Sequence, residues 1–110
     1  MKISFDQLEE NIIPEFRGGK KNTIAKMYTD DTIKIMHGTL EPGASIGLHC
    51  HDTSSEIIYI LSGTGKVLYN DTTETLAPGE CHYCPKGQTH SLINDSDNTE
   101  LVFYAVVPEL

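Results

Sequence analysis

Short apolar runs, each closed within a few residues by a turn sequence, recur from Thr23 to the end of the chain, and this rhythm leaves few folds open. Ile24 to Tyr28 and Thr32 to Leu40 read as strands separated by the acidic turn Asp30-Asp31. Glu41-Pro42-Gly43, Gly63-Thr64-Gly65, Asn70-Asp71-Thr72, Ala77-Pro78-Gly79 and Asp95-Ser96-Asp97-Asn98 punctuate the rest of the chain. Between those turns lie strand candidates at Ile57 to Leu61, Lys66 to Tyr69, a short run to Leu76, Glu80 to Cys84, His90 to Asn94 and Leu101 to Val107. Many short strands with turns between them indicate an all-β sandwich or barrel. One short helix is predicted ahead of them. Ser4 and Gln7 have capping-box spacing, Ile3 and Leu8 stand as a hydrophobic staple, and Phe5, Leu8 and Ile12 share a helical face that Pro14 ends. Phe16-Arg17-Gly18-Gly19-Lys20 then reads as a loop.

A chain of 110 residues fits one domain over 1–110, and a domain of this size buries roughly 60 to 70% of its unfolded surface without disulfide staples. The net charge of −8 and the scattered placement of the eight basic residues exclude a nucleic-acid partner and disfavour an anionic membrane. No apolar run approaches the ~20 residues of a membrane span. The amino terminus lacks the basic-then-apolar order of a signal peptide, so a cytoplasmic location is expected. Asn70-Asp71-Thr72 and Asn94-Asp95-Ser96 match the glycosylation sequon, but in this context they are turns. Cys81 and Cys84 have CxxC spacing inside a strand, where residues three apart face opposite sides, so packed free thiols are expected. Cys50 should point away from its two histidine neighbours.

Those neighbours carry the chemistry. His49 and His51 are two apart, so on a strand both imidazoles project the same way. The polar run Asp52-Thr53-Ser54-Ser55 can form a tight turn, so that a strand opened by Glu56 runs back beside the first and brings its carboxylate near the imidazoles. Two nitrogens and one oxygen around a point suit a divalent transition metal and leave coordination positions open. After the bend at Pro85 and Gly87, His90 emerges at a defined angle as a fourth candidate ligand. His37 and His82 are expected to be packed or hydrogen-bonded instead.

The combined pattern resembles the cupin family. Its first motif is filled by Gly43, five residues, His49, one residue, His51, four residues, Glu56, six residues and Gly63. The second is filled by Gly79, five residues, Pro85, one residue, Gly87, two residues, His90, three residues and Asn94. The resemblance to small cupins of the conserved-barrel type implies a double-stranded β-helix, the RmlC-like jelly roll, with a metal on His49, His51, Glu56 and His90. It also implies a homodimer. The apolar terminal strand Leu101 to Val107, too apolar for a small monomer to cover on both faces, points the same way.

Three neutral imidazoles and a carboxylate leave a divalent ion with a net charge of about +1, which favours an anionic small-molecule ligand or substrate. Iron, manganese, nickel or zinc would serve, and the residues do not choose among them. A metalloenzyme acting on a sugar, sugar acid or hydroxy or keto acid by isomerase, lyase or dioxygenase chemistry is one expectation. A noncatalytic metal-bearing binder is the other. For proton transfer the candidates are Glu56, His82 and Tyr83, with Tyr59, Tyr104 and His37 behind them. Arg17 and Lys26 are the cations considered for a substrate carboxylate, and Arg17, the only arginine, is the one able to clamp it with two parallel hydrogen bonds.

Overall fold

The computed structural model describes residues 1–108, and they fold into two antiparallel sheets packed face to face. In chain order the strands are β1 (Asn11–Pro14), β2 (Asn22–Thr29), β3 (Ile33–Leu40), β4 (His49–Cys50) and β5 (Glu56–Ser62). They continue as β6 (Gly65–Tyr69), β7 (Thr72–Leu76), β8 (Cys81–Cys84), β9 (Thr89–Ile93) and β10 (Leu101–Pro108). Six strands form one sheet in the order β1-β2-β3-β10-β5-β8, and four form the other as β4-β9-β6-β7. Alternation decides which side chains enter. Met36, Gly38 and Leu40 of β3, Leu101, Phe103 and Ala105 of β10, and Ile58 and Ile60 of β5 are buried between the sheets with Val67 and Leu92 from the other side. Gly38 has a specific reason to lack a side chain: it pairs with Phe103, whose ring fills the space a Cβ would need. This is the expected all-β double-stranded β-helix.

Two local expectations fail. The amino-terminal helix is only a single 3-10 turn, Phe5–Gln7, and the Ser4 side chain makes no cap hydrogen bond. Ile12 and Pro14 instead lie in β1, with Ile12 opposite Ile24 of β2. A helix of about ten residues is marginal alone, whereas the open edge of β2 offers backbone partners at once. A terminal proline is tolerated on such an edge strand. Phe5 still finds apolar company, with its ring 5.3 Å from that of Tyr104 and 5.8 Å from His37 on the outer face of the sheet.

The second concerns residues 52–55, which do not close a hairpin. β4 pairs with β9 in the four-stranded sheet, and β5 pairs with β10 and β8 in the six-stranded one. The segment between them crosses from sheet to sheet at one end of the barrel. The ladder beside β9 continues past β4, with His51 N donating to Gln88 O at 3.0 Å. So β4 is already paired when the chain turns.

Ile57 to Leu61 is apolar at every position, which predicts cover on both faces of that strand, yet Ile57 and Tyr59 on the outer face of β5 are exposed among the described residues. Cys84 is buried whereas Cys81 is exposed, which corrects the packed-thiol reading for Cys81 alone. Asn70-Asp71 forms a turn, with Asn70 at a positive φ of 52°, whereas Asn94-Asp95-Ser96 follows β9 as irregular chain in which Ser96 N donates to Asn94 Oδ1 at 3.1 Å. The Asn94 amide is buried and donates to the carbonyls of Leu40, Glu41 and Thr99, tying three chain segments together at the base of the barrel. No described helix is long and apolar enough to cross a membrane.

Candidate metal centre

Each sheet supplies part of one cluster. His49 on β4 and His90 on β9 are cross-strand partners, His51 follows two residues on, and Glu56 opens β5 in the opposite sheet. Inward-facing positions of all four converge at the barrel mouth, and their ligand atoms lie within 4.8 Å of one another. His51 Nε2 is 3.0 Å from His90 Nε2, and His90 Nε2 is 3.2 Å from His49 Nε2. Glu56 Oε1 lies 2.8 Å from His51 Nε2, 2.8 Å from His90 Nε2 and 3.7 Å from His49 Nε2. Metal–nitrogen bonds of about 2.1 Å at right angles would set neighbouring ligand atoms about 3 Å apart, so the spacing fits a single ion.

The donor set makes the same point chemically. His49 Nδ1 lies 2.8 Å from the Gly47 carbonyl, which only accepts, so Nδ1 carries the proton and Nε2 is bare. Acceptors turned toward one another need a cation between them. Burial alone would push the Glu56 carboxyl up, but hydrogen bonds from the histidine rings, with a proton standing where an ion would sit, outweigh burial and hold it well below the usual carboxylate range. Burial, above all, holds His90 below the ordinary imidazole value, although the Glu56 carboxylate pulls the other way. An ionised carboxylate beside a neutral imidazole is the state a metal ion needs.

Beside the cluster is a cavity of about 80 Å³, room for roughly a few waters. Met36, Ile46, Ala105 and Val107 give it apolar walls, and Arg17 and Lys34 bring two cations to it. Lys34 lies on β3 at the same parity as buried Met36, so its chain runs inward toward the mouth. Among the described residues neither cation forms an ion pair. Arg17 arrives from the loop after β1, in left-handed backbone conformation (φ 57°, ψ 29°). That loop is clasped to the segment leading into His49: Gly47 N donates to Phe16 O and Ser45 N to Lys20 O, both at 2.9 Å.

The other candidates lie elsewhere. Tyr83 and Tyr59 are exposed on the outer sheet face, and Tyr104 and His37 pack there with Phe5. None of the four lines the cavity, nor does Lys26, which pairs with outward-facing His37. His82 is buried, but behind His90 and away from the cavity. His82, Cys84 and His90 also bring ligand atoms within 4.8 Å. Burial, then the charge of Glu56, pushes the Cys84 thiol up to about 11, and the His82 and His90 rings of this group are hydrogen-bonded to each other. Cys50 is exposed, with Sγ 3.2 Å from Asp52 Oδ1.

Fold and site together define a double-stranded β-helix with a three-histidine, one-carboxylate centre at its mouth. The chain belongs to the cupin family: the Cupin domain matches residues 36–107. It is 40% identical over 113 residues to an oxalate-binding protein of Thermotoga maritima, covering 97% of this chain and 93% of that one. It superposes on the crystal structure of a predicted oxalate decarboxylase from Thermotoga maritima with a TM-score of 0.91 and 29% identity, over 100% of both chains. The polyketide cyclase RemF of Streptomyces resistomycificus shares the fold, with a TM-score of 0.80 at 23% identity over 98% of this chain and 78% of that one.

Proposed function

We propose that the chain, a single cupin domain, holds one divalent transition metal ion on His49, His51, Glu56 and His90 and uses it to bind a small dicarboxylate, with oxalate as representative. The observation that carries this reading is the pair of cations, Arg17 and Lys34, in the wall of a small cavity beside the metal cluster. The similarity to an oxalate-binding protein supports the choice of dicarboxylate. When bound, the ion supplies a Lewis-acid centre of net charge about +1 with positions open to carboxylate oxygens. The planar fork of Arg17 suits a carboxylate held by two parallel bonds, and the Lys34 ammonium adds a point charge. Apolar walls exclude water and strengthen both contacts.

Calorimetry of metal-loaded protein against oxalate checks this. Binding should vanish on chelation, and Arg17→Ala and Lys34→Ala should each weaken it by about 10- to 100-fold, the worth of a charged hydrogen bond. Unchanged affinity in both variants, or binding without metal, would sink the proposal.

A second reading is decarboxylation of the same ligand, with oxalate and one proton giving formate and carbon dioxide, favoured by the likeness to a predicted oxalate decarboxylase. Besides His49, His51 and Glu56, the titratable groups lining the cavity are Arg17 and Lys34, so the proton would come from Lys34 or from Glu56. Formate appearing in the calorimeter cell would move the assignment from binder to enzyme.

We also propose a homodimer through the outer face of the six-stranded sheet. Ile35, Val106, Ile57 and Tyr83 follow one another across β3, β10, β5 and β8 as register partners, with Tyr104 and Tyr59 alongside. Such a continuous apolar stripe fits a self-complementary contact. Light scattering should give twice the 12.2 kDa chain mass; a monomer at micromolar concentration would remove the idea. All three cysteines are free, which fits the proposed cytoplasmic location.

A further inference from the structure

The three histidines of the cluster hold their second ring nitrogens differently. His49 Nδ1 faces a backbone carbonyl and His51 Nδ1 lies 3.0 Å from the Ser54 hydroxyl. His90 Nδ1 instead faces another imidazole, with His82 Nε2 3.1 Å away. His82 Nδ1 in turn lies 2.8 Å from Glu74 Oε1. The row runs from the edge strand β7, through His82 on β8, to His90 on β9, crossing a core that is otherwise largely apolar. His82 is buried, with the Tyr69 ring set edge-on at 5.3 Å, whereas the Glu74 side chain is 42% exposed.

The direction of each bond is forced by the group before it. A carboxylate only accepts, so His82 donates from Nδ1. Neutral His82 then has a bare Nε2, which can only accept, so His90 donates from its own Nδ1. That leaves His90 Nε2 bare, and it is the atom aimed at His49, His51 and Glu56. The opposite tautomer would set a proton where the ligand atoms converge.

We infer that Glu74 and His82 are positioning residues for the metal centre. They lock the tautomer and ring orientation of His90 and raise its donor strength, so a partly exposed carboxylate on an edge strand sets how tightly the centre holds its ion. This rests on the proposed metal site, and the test separates the two. Zn²⁺ affinity is measured by competition with a chelating dye for the wild type, Glu74→Ala, Glu74→Gln and His82→Phe. Long-range ¹H–¹⁵N spectra of the metal-free protein give the His90 tautomer.

The wild type should show His90 protonated on Nδ1. Affinity should fall about 10-fold in Glu74→Ala and up to about 100-fold in His82→Phe. Glu74→Gln, whose amide oxygen still accepts, should recover part of the loss. Glu74→Ala leaves the buried His82 Nδ1 without its acceptor, so its metal-free melting temperature should fall by about 5 to 10 °C and that of Glu74→Gln by less. Both stay folded at the assay temperature and carry the test even if His82→Phe does not fold. Affinity in Glu74→Ala within twofold of wild type, or a wild-type His90 protonated on Nε2, would overturn the inference. A wild type that takes up no Zn²⁺ would remove the metal site and the inference with it, whatever tautomer the spectra record.

Discussion

Replacing both His49 and His51 with alanine is expected to abolish metal uptake. Four-ligand zinc sites bind with roughly 10 to 16 kcal/mol in all, or about 3 to 4 kcal/mol per ligand, so losing two should weaken binding by about 10⁴-fold or more. Elemental analysis of untagged protein should find near-stoichiometric metal in the wild type and none in the double variant. Equal metal in both would mean that the convergence of His49, His51, Glu56 and His90 is not a metal site. Glu56→Gln should weaken binding less than His51→Ala, because an amide oxygen still coordinates, and the reverse order would show that the carboxylate charge dominates.

Acid should release the same ion. The imidazoles must be neutral to bind, so occupancy in the presence of a chelator should drop as pH falls through about 6, and full retention at pH 5 would contradict the assignment. Glu56, held low, stays ionised over that window and does not drive the release. Metal-free protein should lose stability in the same direction. Burial depresses His90, so below about 6.5 the unfolded chain takes up a proton that the folded chain resists, and stability falls as pH falls.

The cluster was legible because its spacing survives any detail of the fold. His49 and His51 share a strand face, and the turns that bring Glu56 and His90 toward them are written in short polar and proline-glycine runs. Which strand pairs with which was not legible: a polar run such as Asp52 to Ser55 closes a hairpin as readily as it crosses between sheets, and only the competition of β9 for β4 decides. The amino-terminal helix failed for a like reason, since Ser4 and Gln7 satisfied local rules while the edge of β2 offered more. Lys34 could have been found. It stands two residues before Met36 in one strand and so faces the same way, but a lysine near a strand end is ordinarily taken for a solvated one. The approach of Arg17 to the cluster depends on two backbones meeting far apart in sequence, which no local pattern records.

That meeting should be the most fragile part of the site. A Cβ at Gly19 would overlap the Ser45 carbonyl and the Gly47 nitrogen, and one at Gly47 would overlap the Arg17 carbonyl. Backbone faces backbone on both sides, so no rotamer change relieves the clash. Gly19→Ala must push the loop off, breaking Gly47 N to Phe16 O, Ser45 N to Lys20 O, and Lys20 N to Ser45 Oγ at 3.0 Å. Three bonds at about 1 kcal/mol each give a loss of about 3 kcal/mol, or a fall in melting temperature of roughly 10 to 20 °C. Gly18→Ala is the control. Its Cβ meets nothing within 4 Å, and only the positive φ of 80° opposes it, at a cost of about 1 to 2 kcal/mol. Below its melting temperature, Gly19→Ala should keep its metal, because His49, His51, Glu56 and His90 hang on other strands, yet lose oxalate affinity as Arg17 moves away. Stability and oxalate binding no worse than in Gly18→Ala would mean that the clasp neither holds the loop nor places the arginine.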